Sequence, residues 1–213
     1  FRNAQNVGGA ENVLLACERA RGDYVWLHAD DDLICKGALQ RFLDLVICHP
    51  GVGVVSSPLQ AFQNNDAAHP LEKLRFPSSR QDLYWKAGAE AFSGLFLRTC
   101  SLSGLIIRRD LLDIEGARAH AQSQYPQMYL VGHAATLADA AYLSTPLMRL
   151  RLEDVKRWNY TKDFMSTAIF TTLTHFTRSQ SWGPAVRQYL VQKRILASYG
   201  PLYSSRDNSW RIF

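Results

Sequence analysis

The stretch "GDYVWLHADDDLICKGAL", residues 22–39, decides the fold and raises the question of function. Its apolar run, Tyr24 to Leu27, predicts a buried strand, and three aspartates, Asp30, Asp31 and Asp32, follow that strand almost at once. Open α/β sheets bind ligands at the carboxyl ends of their strands, so we expect the aspartates at a binding edge.

Three adjacent carboxylates repel one another unless a cation lies between them. Mg²⁺ and Mn²⁺ prefer one or two carboxylates together with phosphate oxygens. The triplet therefore predicts a metal site that holds a diphosphate. The alternative is a solvated acidic turn in which Asp32 caps the following helix.

The segments on either side of this stretch alternate between helical and strand patterns. Residues 9–21 and 36–50 have apolar faces at helical spacing, and residues 52–62 are small, apolar and β-branched at their centre. This order predicts an α/β fold with a mainly parallel sheet flanked by helices. Further along, we expect a long loop with one short helix over 63–90, a strand near 102–112, a helix broken at Pro126, and a late strand pair over 140–152.

The composition is that of a globular protein, with 47% hydrophobic and 20% charged residues. Its net charge of +5 is uneven, because residues 151–213 carry ten Lys and Arg against four Asp and Glu. No apolar run approaches the roughly 20 residues of a membrane-spanning helix. None of the four cysteines forms a C-x-x-C pair, so we expect reduced, mostly buried thiols.

The pieces "RNAQNVGGAENVLLACERARGDYVWLHADDD" and "SGLIIRRDLL" together resemble the family 2 glycosyltransferases with the GT-A fold, in the branch that includes abequosyltransferases. The resemblance implies a nucleotide-sugar donor, a glycan or lipid-linked acceptor, surface polysaccharide synthesis, and Mn²⁺ or Mg²⁺ held by Asp30, Asp31 and Asp32. It also implies a set of substrate-binding residues: Asn6, Gly8, Asn12, Ser103, Gly104, Arg108 and Arg109.

The sequence departs from that family in three places. It begins after the strands that carry the nucleotide-base pocket, so we expect an N-terminally truncated domain with little activity of its own. His28 stands where many members have the first aspartate of the acidic motif. No carboxylate lies between Glu115 and Asp139, where inverting members place a catalytic acid. His133 and His120 have side chains suited to proton abstraction, and Asp139, Asp113 and Glu115 are the alternatives.

The resemblance ends near residue 155, which implies a GT-A domain over 1–155 and a helical C-terminal extension over 156–213. In the extension, Ile169, Phe170, Leu173 and Phe176 recur on one helical face and are expected in a core. Arg187, Lys193 and Arg194 predict a basic patch for peripheral membrane contact, in a protein expected in the cytoplasm at the inner face of the membrane. The alternative function is an inactive binding module with a basic helical surface for a membrane or nucleic acid, of which nucleic acid is disfavoured because the aromatic residues follow helical spacing.

Overall fold

The computed structural model describes residues 2–63, 66–71, 74, 76, 78–120, 125–152, 162–179 and 183. These residues form a five-stranded sheet, a three-stranded sheet and helices on both faces of the larger sheet. The strands are β1 (Tyr24–Leu27), β2 (Leu33–Ile34), β3 (Val52–Ser56), β4 (Leu59–Gln63), β5 (Leu83–Trp85), β6 (Leu105–Arg108), β7 (Asp139–Tyr142) and β8 (Met148–Leu152). The helices are α1 (Gly9–Arg19), α2 (Ala38–Cys48), α3 (Ala89–Leu95), α4 (Ile114–Ala119), α5 (Pro126–Leu137) and α6 (Lys162–Ser179).

The larger sheet has the order β1-β6-β3-β7-β5 and is mixed. Strands β1, β3 and β7 run in one direction, but β6 lies antiparallel between β1 and β3, and β5 is antiparallel to β7. The α/β class is confirmed, and the expectation of a mainly parallel sheet is corrected, because only β3 and β7 pair in parallel in this sheet. The loop predicted over 63–90 also contains a strand, β5, that its polar surroundings concealed.

The two faces of the larger sheet are covered by different helices, as the alternation of side chains along each strand requires. On β1, Val25 and Leu27 face the core that α1, α3, α4, α5 and α6 cover, whereas Tyr24 and Trp26 face α2. The ring of Phe42 from α2 meets Tyr24 edge-on, with 5.1 Å between the ring centroids. The apolar strand pattern therefore serves two cores at once.

The smaller sheet, in the order β2-β8-β4, extends beyond one edge of the larger one. Each of its strands follows a strand of the larger sheet along the chain: β2 follows β1, β4 follows β3, and β8 follows β7. Ser57 and Pro58 break the segment predicted as a single strand into β3 and β4. Strands β1, β3 and β7 all end where the two sheets meet. This boundary is therefore the carboxyl edge of the larger sheet.

Local sequence explains where several helices begin. Asp113 caps α4 by accepting a hydrogen bond from the Gly116 amide at 3.0 Å. Pro126 occupies the first turn of α5, where its missing N–H costs nothing, so the predicted break at Pro126 is the start of a new helix. At the C-terminal end, Ile169, Leu173 and Phe176 of α6 are buried in the core beside α5. The side chain of Phe170 and all residues from 184 onward lie outside the described residues.

Candidate active site

The three aspartates form a turn at the carboxyl end of β1, where the sequence predicts them. The Asp32 amide donates a hydrogen bond to the Ala29 carbonyl at 3.3 Å, so Asp30 and Asp31 are the two central residues of the turn. Both are exposed, whereas Asp32 is only 5% exposed. The triplet therefore divides into two carboxylates that face solvent and one that faces the protein.

Asp32 is held by the chain from both sheets. Its Oδ1 accepts a hydrogen bond from the Arg151 amide of β8 at 2.9 Å. The hydroxyl of Ser103, in the loop before β6, is its side-chain hydrogen-bond partner. Burial raises the pKa of the Asp32 carboxyl, and the hydrogen bonds from Ser103 and Arg151 partly offset that rise.

The loop that precedes β6 closes over the same turn. Ser103 Oγ accepts a hydrogen bond from the Ala29 amide at 2.9 Å, and the Gly104 amide donates to the Leu27 carbonyl at 3.1 Å. Gly104 has φ +86°, a conformation that favours glycine, and a Cβ there would crowd the side chains of Met148 and Leu59. Ser103 and Gly104, predicted from the resemblance, are thus brought against the acidic turn.

Asn6, Gly8 and Asn12 lie in the segment that leads into α1 and in the first turn of that helix. Helix α1 runs back along β1 after a short connection, so its amino end lies near the carboxyl end of that strand. Asn6 Oδ1 accepts from the Gly8 amide at 2.9 Å, and Asn12 Oδ1 accepts from the side-chain amide of Asn3 at 2.9 Å. These contacts shape the segment before α1, and the role of the three residues in substrate binding stays a prediction.

Arg108 and Arg109 lie at the opposite edge of the larger sheet, away from the acidic turn, and their role in substrate binding stays a prediction. Strand β6 is antiparallel to β1, so Arg108 pairs with Tyr24 at the beginning of β1. The Arg109 guanidinium donates to the Gly22 carbonyl at 2.8 Å, and Arg108 pairs with Asp110 at 2.7 Å. Arg109 therefore ties down the segment that leads into β1.

Asp139 is likewise at the opposite edge, because it begins β7 and pairs with Val52, the first residue of β3. Its carboxylate accepts from Lys86 Nζ at 2.8 Å and from the Ala87 amide at 3.0 Å. The hydrogen bond from Lys86 lowers the pKa of Asp139 more than burial raises it. Asp139 therefore does not lie beside the acidic turn, and its role as a catalytic base stays a prediction.

His133 and His120 lie together in a cluster of rings between α4, α5 and α6. His133 Nδ1 is 3.8 Å from Asp113 Oδ2, and the Tyr129 hydroxyl donates to the same oxygen at 2.8 Å. His120 stacks on Tyr129 with ring centroids 4.7 Å apart, and burial lowers its pKa, with His175 adding to the effect. His133 lies one turn before the end of α5, in the half of the helix that leads to the opposite edge. The role of His133 or His120 as a catalytic base stays a prediction.

A model of glycosyl transferase family 2 matches residues 1–113, which is more than half of the chain and includes the acidic turn and the loop before β6. This chain belongs to glycosyl transferase family 2. Among solved structures it is similar to S. aureus TarS 1–349, with a TM-score of 0.53 and 12% sequence identity, over 90% of this chain and 55% of that one. The similarity shows a shared GT-A type of fold, and the chain spans about half the length of that structure. A search of curated proteins found no match.

The carboxylates of the acidic turn in this family 2 chain suit a hard cation whose remaining ligands are phosphate and water oxygens. Within the part of the chain that the structure describes, no group of three His, Cys, Asp or Glu side chains could enclose a metal ion. Asp30 and Asp31 offer carboxylates from an exposed turn, and Mg²⁺ commonly takes only one or two carboxylates, completing its shell with phosphate and water. The exposed carboxylates of Asp30 and Asp31 therefore fit a cation that a diphosphate also binds.

Sequence reasoning missed several residues that build this edge of the family 2 fold. Besides the predicted Asp32 and Ser103, and apart from two threonines of α6, the buried polar residues among those described lie on the carboxyl-edge segments: Ser56, Ser57, Thr99, Ser101 and Gln127. The signal was present in "TCSLSG", residues 99–104, where a polar run leads directly into a strand. Buried polar side chains need partners, so such a run indicates a hydrogen-bonded loop.

The basic patch proposed for the C-terminal extension, Arg187, Lys193 and Arg194, lies outside the described residues. Among the helices that the structure does describe, none is both long enough and apolar enough to span a bilayer.

Proposed function

We propose that the protein carrying this chain transfers a sugar from a nucleotide-diphosphate donor to an acceptor hydroxyl, with Mn²⁺ or Mg²⁺ as cofactor. The observation that supports this proposal is the exposed pair of Asp30 and Asp31, presented on a hydrogen-bonded base at the carboxyl edge of a family 2 chain. In this proposal, the carboxylates of Asp30 and Asp31 would hold the cation, which would supply positive charge for the donor diphosphate.

The bound cation would neutralise the negative charge that develops on the departing nucleoside diphosphate. The residues of the chain position the carboxylates that would hold the cation. The turn fixes Asp30 and Asp31, and the segment of Asn6, Gly8 and Asn12 lies at the same edge, where its amides and side chains would contact the donor. Ser103 and Gly104 would form the wall between donor and acceptor, since they close directly over the turn.

The acceptor class in this proposal is a glycan or a lipid-linked glycan in surface polysaccharide synthesis. It rests on the resemblance of "DYVWLHADDD" and "SGLIIRRDLL" to the abequosyltransferase branch. The excess of Lys and Arg over residues 151–213 supports a cytoplasmic protein that contacts an anionic membrane surface, where such an acceptor would lie.

The experiment that tests the proposed function is a survey of nucleotide sugars with the purified full-length protein that carries this chain. Release of nucleoside diphosphate is measured in Mn²⁺, in Mg²⁺ and in excess chelator. We expect turnover of one donor class, a loss of about a hundredfold in chelator, and recovery when Mn²⁺ is restored. Equal turnover with and without chelator would remove the metal from the proposal, and no turnover of any donor would refute the activity.

A further inference from the structure

Asp32 differs from Asp30 and Asp31 in both burial and bonding. Its carboxylate is directed into the protein, where the Arg151 amide donates to Oδ1 at 2.9 Å. A carboxylate that is only 5% exposed presents little surface to a cation in solvent, and one oxygen of Asp32 is already hydrogen-bonded to the main chain.

Hydrogen bonds join the acidic turn to both sheets. The Ser103 Oγ accepts from the Ala29 amide at 2.9 Å, and the Ser103 hydroxyl also lowers the pKa of the Asp32 carboxyl. The Asp32 amide then returns to the Ala29 carbonyl at 3.3 Å. The turn is therefore held to the larger sheet through Ser103 and to the smaller sheet through Arg151.

We propose that Asp32 is a positioning residue that fixes the turn from beneath, so that Asp30 and Asp31 are the carboxylates that meet the cation. This inference rests on the proposed function and narrows its metal ligands from three residues to two. In this proposal, Ser103 holds the turn and the loop before β6 in one fixed arrangement.

Ligand and positioning roles respond differently to the same substitutions. A metal ligand loses its charge when Asp becomes Asn, so Asn and Ala are both severe there. A positioning carboxylate can be replaced by Asn, because Asn keeps the Oδ1 acceptor for the Arg151 amide and can still exchange a hydrogen bond with the Ser103 hydroxyl. Removing an outer partner of a metal site typically lowers metal affinity about 10- to 100-fold.

The test is a Mn²⁺ titration of the full-length protein by electron paramagnetic resonance, with inorganic pyrophosphate as the probe for the donor diphosphate. We expect Asp30→Asn and Asp31→Asn to weaken Mn²⁺ binding about tenfold or more, Asp32→Asn to stay within about threefold of wild type, and Asp32→Ala to fall about tenfold. Asp44→Asn, an exposed carboxylate of α2, is the matched control and should bind as wild type does.

Ser103 supplies a second line of evidence. Ser103→Ala should weaken Mn²⁺ binding severalfold, and combining it with Asp32→Ala should add little, since both substitutions release the same turn. Thermal unfolding of each variant separates loss of fold from loss of positioning. Should Asp32→Ala not fold, Asp32→Asn decides, because it keeps the shape and the acceptor of the native side chain.

Two results would overturn the inference, and they are distinguishable. If wild type binds Mn²⁺ with pyrophosphate and Asp32→Asn loses as much affinity as Asp31→Asn at an unchanged melting temperature, Asp32 is a ligand and only this inference fails. If wild type itself does not bind Mn²⁺ with pyrophosphate, the metal site of the proposed function fails as well.

Discussion

Leu27 lies opposite Leu105 in the antiparallel ladder between β1 and β6. This one pairing brings the loop before β6, with Ser103 and Gly104, against the acidic turn that follows β1. The same ladder puts Arg108 opposite Tyr24, at the far end. The direction of β6 therefore decides which of the candidate residues share the carboxyl edge.

The first prediction concerns Arg109 at the opposite edge. Arg109→Ala should cost at most about 1 kcal/mol of unfolding free energy, because it removes an exposed hydrogen bond to the Gly22 carbonyl. The affinity for Mn²⁺ with pyrophosphate should be unchanged. Urea unfolding and the Mn²⁺ titration measure the two quantities. A large loss of affinity at unchanged stability would place Arg109 in the site after all.

The second prediction is a pH dependence that Asp82 contributes. Burial raises the pKa of Asp82, but the Ser144 amide and hydroxyl, both at 2.8 Å, and the Arg41 guanidinium at 2.7 Å outweigh burial and lower it below 3.8. A lowered pKa in the folded state means that the contribution is present above pH 3.8 and is lost as the pH falls through the folded value.

The unfolding free energy of wild type should therefore decline as the pH is lowered below about 4, and Asp82→Asn should flatten that decline. Urea unfolding between pH 3 and pH 7 measures the slope, with Asp44→Asn as a control that leaves it unchanged. Parallel curves for wild type and Asp82→Asn would show that Asp82 contributes nothing to the acid sensitivity.

The third prediction uses the cysteines, all four of which are free thiols. Cys17 is 2% exposed, and burial raises its pKa to about 11, whereas Cys48 is exposed. At pH 8 a disulfide reagent should react with Cys48 first and with Cys17 only on unfolding. Peptide mapping after brief labelling identifies the sites, and Cys48→Ser should abolish the fast phase. Labelling of Cys17 as fast as that of Cys48 would contradict the packing of α1.

The fourth prediction tests the packing of α6 against α5. Phe176 is 3% exposed, and its ring lies 5.3 Å from both Phe92 and Tyr129, measured between centroids. Phe176→Ala should lower the unfolding free energy by about 3–5 kcal/mol, as a truncated core aromatic does. Arg178→Ala, exposed on the same helix, is the control and should stay within about 0.5 kcal/mol. Equal stability of the two variants would show that α6 does not belong to this core.

Local patterns predicted the elements around the acidic turn well. The apolar run of β1, the faces of α1 and α2, and the position of Asp30 to Asp32 after the strand all follow from spacing within a few residues. Pairing partners depend on contacts between segments that are distant along the chain. Local patterns could therefore not predict that β6 lies between β1 and β3. The division of residues 52–62 between two sheets was missed for the same reason.

The positions of the other site candidates depend on the same distant pairings. The family resemblance named Arg108 and Arg109, and Asp139 was named by its distance along the chain. The sequence could not show that all three lie at the edge opposite the acidic turn, because the directions of β6 and β7 in the sheet do not follow from a local pattern. The sequence could not show that Asp32 is buried while Asp30 and Asp31 are exposed, because the three adjacent residues are identical.

The proposed function depends on Asp30 and Asp31 holding the cation that sugar transfer requires. The most direct measurement compares nucleoside diphosphate release from the preferred nucleotide sugar by wild type, the double variant Asp30→Asn with Asp31→Asn, and Asp44→Asn, each in saturating Mn²⁺. We predict a loss of at least about a hundredfold in the double variant and wild-type rates in the control. Undiminished release by a folded double variant would contradict the claim.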